Sequence, residues 1–203
     1  MVHLAAAPSD TGATASDFAW TLISTRQTIL PRHLEEPGPD QTQIERLFRA
    51  AAAAPDHGCI QPWRFVLVPA NRRDALATAF KTSLHQRDAE ASAYQLDQAA
   101  DKAYRSPFLC LVVARLGPAQ PPIEPIERMV SVGAAVQNLL LCAHAMGFGT
   151  SLTGGQAMRQ SLLRDLFGLG QGEEAVCFIN IGTARNGKPT GLRPEPSSFV
   201  SSL

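Results

Sequence analysis

Apolar residues recur at helical spacing along some stretches of the chain and in short unbroken runs along others, and together they sketch the elements. Ser16 and Asp17 make a helix start, followed by Phe18, Leu22 and Ile23 at helical spacing. That helix runs into Thr25-Arg26-Gln27-Thr28 and ends before Pro31, where a loop with Pro37, Gly38 and Pro39 begins. The next helix has two possible capping boxes, Asp40 with Gln43 or Thr42 with Glu45. Ile44, Leu47, Phe48 and Ala51 form its apolar stripe, and Pro55 stops it. Residues 63–68 predict a strand, 71–86 a helix, 88–105 a more polar helix, and 108–114 a buried strand. Four prolines make 117–125 a loop. The longest helix, 127–146, is apolar on most faces and closes at Gly147. A short strand over 149–152, a helix over 156–167 capped by Gly168, a strand over 175–181 and an extended tail complete the chain.

Helices and strands interleave irregularly, without repeats or a dividing linker. That order predicts an α+β domain with a mixed sheet rather than a regular doubly wound fold. The domain spans 16–203, behind a loose tail over 1–15 rich in Ala, Ser, Thr and Gly. A chain of 203 residues suffices for one sizeable core and is short for two. The helix over 127–146 is buried either by its own sheet alone or by that sheet and a partner chain. Ser131, Gln137, Asn138 and His144 interrupt its apolar run, which favours a buried helix over a membrane span.

Eighteen basic residues balance eighteen acidic ones, so no electrostatic footprint for nucleic acid exists. Cys59, Cys110, Cys142 and Cys177 are far apart and form no Cys-x-x-Cys pair, which points to reduced core thiols in a cytoplasmic protein. No Lys or Arg precedes Arg26, so the charged start of a secretory signal is absent.

Taken on their residues alone, the candidate sites stay open. Arg26 and Thr28 offer a guanidinium fork and a hydroxyl where a helix meets a loop, suited either to a phosphate or to a helix cap. His57 is a loop histidine that caps the preceding helix or presents a ring N–H, and Trp63 is core in both cases. His57 and Cys59 lack further ligands at metal-binding spacing. Gly147 to Gly155 has the wrong order for a dinucleotide loop, because a helix precedes it and Leu152 stands where a glycine is required. Gly154-Gly155 alone is a strand-to-helix turn. Arg193, Arg185 and Lys188 are basic residues of the tail. No Ser-His-Asp order, phosphate-binding Walker loop or carboxylate pair supports a hydrolase or kinase.

The segment Pro55-Asp-His-Gly-Cys-Ile-Gln-Pro-Trp-Arg-Phe65, downstream of Thr25-Arg-Gln-Thr28, resembles the flavin-dependent nitroreductase family, in the branch with Pro-Asp-His before Gln-Pro-Trp. The likeness extends from about Phe18 to Val200, is specific at 54–65 and loose in the tail. Gln27 departs from the family's usual second arginine, and Cys59 from its usual asparagine. The resemblance implies a single nitroreductase-like α+β domain in an intertwined homodimer, with FMN at the interface. It implies Arg26, Gln27 and Thr28 at the flavin phosphate, with Arg193 a second contact. Leu152, Thr153, Gly154 and Gly155 would lie beside the ring, whereas Ala53 and His57 would reach the flavin of the opposite subunit. The implied activity is reduction of a small electron-poor acceptor, such as a nitroaromatic or quinone, by NADH or NADPH in ping-pong hydride transfer through flavin N5. The flavin carries the redox chemistry, so no side chain is assigned as catalytic. Other readings are a non-catalytic flavin carrier or sensor, a reductive dehalogenase and a flavin-modifying enzyme.

Overall fold

The computed structural model describes residues 14–117, 121–185 and 191–203. Six helices, α1 (Ala15–Thr25), α2 (Gln41–Ala52), α3 (Arg73–Arg87), α4 (Ala93–Asp101), α5 (Pro125–Ala145) and α6 (Ser161–Leu166), surround one sheet. Its strands are β1 (Leu34–Glu35), β2 (Trp63–Leu67), β3 (Phe108–Arg115), β4 (Gly149–Thr153) and β5 (Glu173–Ala184). β5 is the hub: β3 and β4 pair with its two edges, β1 pairs with its last two residues, and β2 lies outside β3. All these ladders are antiparallel, and the parallel contribution is an isolated bridge between Thr28 and Thr150.

The unbroken apolar run of β3 has a simple cause. Successive side chains of a strand face opposite sides, and here both sides are covered. Cys110, Val112 and Ala114 join a core built with α2 and α5, including Leu47, Val132 and Leu139. Leu109, Leu111 and Val113 join a second core with Leu76, Leu163 and Phe178. α5 is long and apolar enough to cross a membrane by length and composition alone. Its Val132, Ala135, Leu139 and Ala143 instead bury against the sheet side of the molecule.

Several boundaries differ from the sequence expectation. Thr14, not Ser16, caps α1: its hydroxyl accepts from Asp17 N at 3.2 Å, and Asp17 returns the bond to Thr14 N. Residues 14 and 15, expected in the tail, thus belong to the helix and its cap, and residues 1–13 lie outside the described residues, as does Lys188. α1 stops at Thr25, and a 3-10 turn and β1 occupy 31–35, where only loop was expected. Of the two α2 caps, Asp40 with Gln43 forms, at 2.8 and 2.9 Å. Residues 88–91 form no helix, because Ser92 caps α4 through its own box with Gln95. The expected helix over 156–167 splits at Gln160, which has extended backbone. Gly147 and Gly168 end helices with φ of +86° and +56°, where a side chain would be strained.

Two arginines were not singled out in the sequence. Arg73 is buried and donates to Val68 O, Ala103 O and Pro107 O at 2.8, 2.6 and 3.1 Å. Arg128, also buried, donates to Ile123 O, Arg115 O and Pro121 O. Each guanidinium fork gathers three backbone carbonyls at the ends of elements and in loops. The four cysteines are free, with Cys110 buried and Cys59 exposed; Cys142 and Cys177 are half-buried. Burial pushes the Cys177 thiol up to about 11, so it stays protonated.

Candidate functional site

At the C-terminal end of α5, three basic side chains meet, with no acid paired to them among the described residues. The Thr25 hydroxyl gives its proton to Thr21 O at 2.6 Å and lies 2.9 Å from His144 Nε2. With that proton committed, Nε2–H of His144 is the donor to Thr25. Arg193 reaches back from the C-terminal segment to donate to Arg26 O at 2.6 Å. Burial first, and the nearby Arg193 second, lower the Arg26 guanidinium below its ordinary value. Burial and then Arg26 likewise lower the pKa of His144. Among the described residues no carboxylate pairs with Arg26 or Arg193. Like charges held together without a counter-ion are a cost unless an anion arrives.

The next residues tie this corner to β4. Gln27 is half-buried, Thr28 is exposed, and Ile29 N donates to Thr150 O at 2.9 Å beside the Thr28–Thr150 bridge. From Thr150 the strand runs to Leu152, Thr153 and Gly154, about 13 Å at the usual rise. Leu152 is 44% exposed although apolar. Thr153 Oγ1 accepts from the buried Asn180 Nδ2 at 3.0 Å, and Ser106 donates to Asn180 Oδ1 at 3.0 Å. Gly155 has φ +127° and requires glycine. A Cβ on Gly154 would come no closer than 3.8 Å to its own chain, so the open space there faces outward. Arg26, Thr28, Arg193 and 152–155 thus line one side of the molecule.

His57 and Ala53 are elsewhere. His57 Nδ1 lies 3.3 Å from Glu127 Oε2, at the N-terminal end of α5. Seventeen residues separate Glu127 from His144 on that helix, about 25 Å at 1.5 Å per residue. α2 runs antiparallel beside it, with Asn138 Nδ2 on Ala50 O at 3.2 Å, and delivers the exposed Ala53 to the same end as His57. His57 is no helix cap, because Ala53 N itself closes α2 onto Ala50 O and Ala51 O. Its loop is tightly wound: Gly58, Cys59 and Gln61 have φ of +73°, +52° and +47°. Asp56 Oδ2 fixes the turn by accepting from Gln61 N at 2.6 Å. One chain therefore holds the candidate residues in two groups, one at each end of α5.

Sequence reasoning missed His144 and Asn180, because single polar residues in apolar runs read as core. It also missed a cavity of about 400 Å³ beside Thr153–Gly155, walled by α3, α4 and Leu30-Pro31. Its lining residues come from helices, strands and turns spread from Leu30 to Asn180, and no motif spans them. Among the described residues no three His, Cys, Asp or Glu side chains converge as a metal site.

The model of the nitroreductase family matches residues 23–183. A Haemophilus influenzae protein provisionally named an NAD(P)H nitroreductase is 32% identical over 165 residues, 81% of this chain and 88% of the relative. YdjA of Escherichia coli K12, provisionally named in the same way, is 28% identical over 83% of this chain and 91% of its own length. A nitroreductase-like protein of Bacillus cereus has the same fold, with a TM-score of 0.79 at 21% identity, covering 94% of this chain and 98% of the other. The chain belongs to the nitroreductase family, and so to the oxidoreductases as a class.

Proposed function

We propose that this protein is an FMN-dependent oxidoreductase that uses NADH or NADPH to reduce small electron-poor acceptors, nitroaromatics or quinones among them. The observation that carries the reading is the meeting of Arg26 and Arg193 with no carboxylate paired to either among the described residues, on the same side as the open Gly154–Gly155 turn. A flavin phosphate fits the first and a planar ring fits the second. Arg26 and Thr28 hold the phosphate, with Arg193 supplying the second positive charge and Gln27 a polar wall. Leu152 to Gly155 lie along the ring, where the missing side chains leave backbone N–H groups accessible. When bound, FMN supplies the hydride-accepting and hydride-donating chemistry, and the chain orients it and excludes water.

The family's commonest way to complete such a site is a second copy, and the split along α5 supports that assembly here. Ile126, Val130, Gly133 and Gln137 recur at i, i+4, i+7 and i+11 and form an exposed stripe on α5. Val130 is 67% exposed, as is Phe199 of the C-terminal segment, and Trp20 of α1 is 71% exposed. A homodimer covering this stripe brings His57 and Ala53 of each chain to the flavin held by the other.

The test is the absorption spectrum of the purified protein, flavin titration and NAD(P)H oxidation with a nitroaromatic acceptor. The proposal expects selective binding of FMN over FAD and turnover of both substrates. Absence of flavin binding contradicts it, and binding without NAD(P)H oxidation leaves a flavin carrier.

A further inference from the structure

The cavity beside Thr153–Gly155 has a composition that the activity class does not demand. Its floor is apolar, from Phe80, Leu84, Leu109 and Phe178. Its rim carries Arg87, Lys102 and Arg105, and among the described residues no Asp or Glu lines it. Arg87 and Lys102 make no hydrogen bond or ion pair among the described residues, whereas Arg105 donates only to Gln98, at 3.2 Å to its side chain. Nearby cations do find partners: Lys81 pairs with Asp97 at 2.8 Å on the adjoining surface of α3 and α4. Three unneutralised cations around an apolar pocket therefore form a recognition pattern for a flat or apolar body bearing a negative group.

We infer that this cavity is an acceptor subsite for aromatic carboxylates, with the carboxylate held by Arg87, Lys102 and Arg105 and the ring on the apolar floor. This deepens the oxidoreductase reading, and rests on it for the placement of the acceptor beside Gly154–Gly155. The subsite selects anionic over neutral acceptors of the same shape, because only the anion relieves the uncompensated charge on the rim. The volume suits one ring with its substituents, and Gly154 and Gly155 leave the wall toward the proposed flavin free of side chains.

Two measurements decide it. In the first, cofactor-free protein is titrated with benzoate and with benzamide under ligand-observed NMR, which does not depend on flavin or turnover. Benzoate should bind more tightly, and R87A/K102A should remove the preference. In the second, FMN-loaded protein is assayed with 4-nitrobenzoate and 4-nitrobenzamide. The kcat/KM ratio should favour the anion in the unaltered protein. It should fall about tenfold in R87A/K102A, the size expected for loss of a partly desolvated charge contact. R87K/K102R, which keeps both charges, should retain most of the ratio. Equal binding of benzoate and benzamide to the cofactor-free protein, or a ratio unmoved in R87A/K102A, overturns the subsite. Benzoate preference in a protein that takes up no FMN would leave the subsite standing and remove the oxidoreductase reading instead.

Discussion

The two ends of α5 solve opposite electrostatic problems. At the N-terminal end His57 faces Glu127 at 3.3 Å, and the pair is complete within one chain. At the C-terminal end Arg26, Arg193 and His144 crowd together with no carboxylate among the described residues, and burial deepens the cost. A fold that keeps uncompensated charge in a half-buried corner gives up stability there. The difference matches the proposed roles, an anion site at the second end and a surface that meets a partner at the first.

The largest effect should come from the stripe between the ends. A Cβ on Gly133 would meet nothing within 4 Å of its own chain, so Gly133→Leu fits a single chain and improves helix propensity by a few tenths of a kcal/mol or more. In a dimer packed on this stripe, the added side chain blocks close approach of the partner. The variant should sediment as a monomer, keep its helical circular dichroism and lose FMN. A dimer of unchanged affinity would move the interface elsewhere.

Arg26→Ala should come next. Loss of a charge-assisted phosphate contact costs about 1.5–3 kcal/mol of FMN affinity. The thermal midpoint without flavin should barely fall, or even rise, because one of two repelling cations is gone. Flavin titration beside a thermal melt measures both, and unchanged affinity would reduce Arg26 to a helix-end residue.

A subtler effect concerns His144. In the flavin-free protein its pKa lies below the ordinary histidine value, so it is neutral at neutral pH. The unfolded chain then takes up a proton first, and fold stability declines as pH falls through about 6.5 and below. A phosphate dianion beside Arg26 reverses the local field and raises the His144 pKa. FMN should consequently bind more tightly as pH falls through that raised value. An NMR titration of the imidazole with and without FMN reads the sign, and a pKa unmoved or lowered by FMN would place the phosphate away from this corner.

The smallest effect is expected from Glu127→Gln. Its partner His57 is 66% exposed at the side chain, and exposed polar contacts of this kind contribute about 1 kcal/mol or less. The fold should melt within a few degrees of the unaltered protein, and the change should appear instead in flavin fluorescence, through the freed His57 loop.

The contrast between the ends also explains what was legible in the sequence. β3 was readable because burial on both faces demands an unbroken apolar run, and α2 because Pro55 and a capping box bound it. The corner proposed for the phosphate was half readable. Arg26 and Thr28 sit in one short segment, but His144 and Arg193 arrive from 116 and more residues away, and only the fold brings them in. The helical spacing of Phe18 and Ile23 in α1 was legible but what covers them was not: both are exposed in the single chain, since helical spacing does not say what covers a face. The split of His57 from Arg26 along α5 had no local signal, for it depends on the antiparallel run of α2 beside α5.

The central claim, that each flavin site draws Arg26 from one chain and His57 from the other, is tested most directly by mixing two damaged proteins. Arg26→Ala chains and His57→Trp chains should each form dimers with two impaired sites. After subunit exchange, a mixed dimer holds one site with both lesions and one with neither, so NAD(P)H-dependent nitroaromatic reduction should reappear on mixing, up to about half the unaltered activity per mixed dimer. If His57 and Arg26 serve the same subunit's flavin, every site in the mixture keeps a lesion, and activity stays at the level of the separate variants.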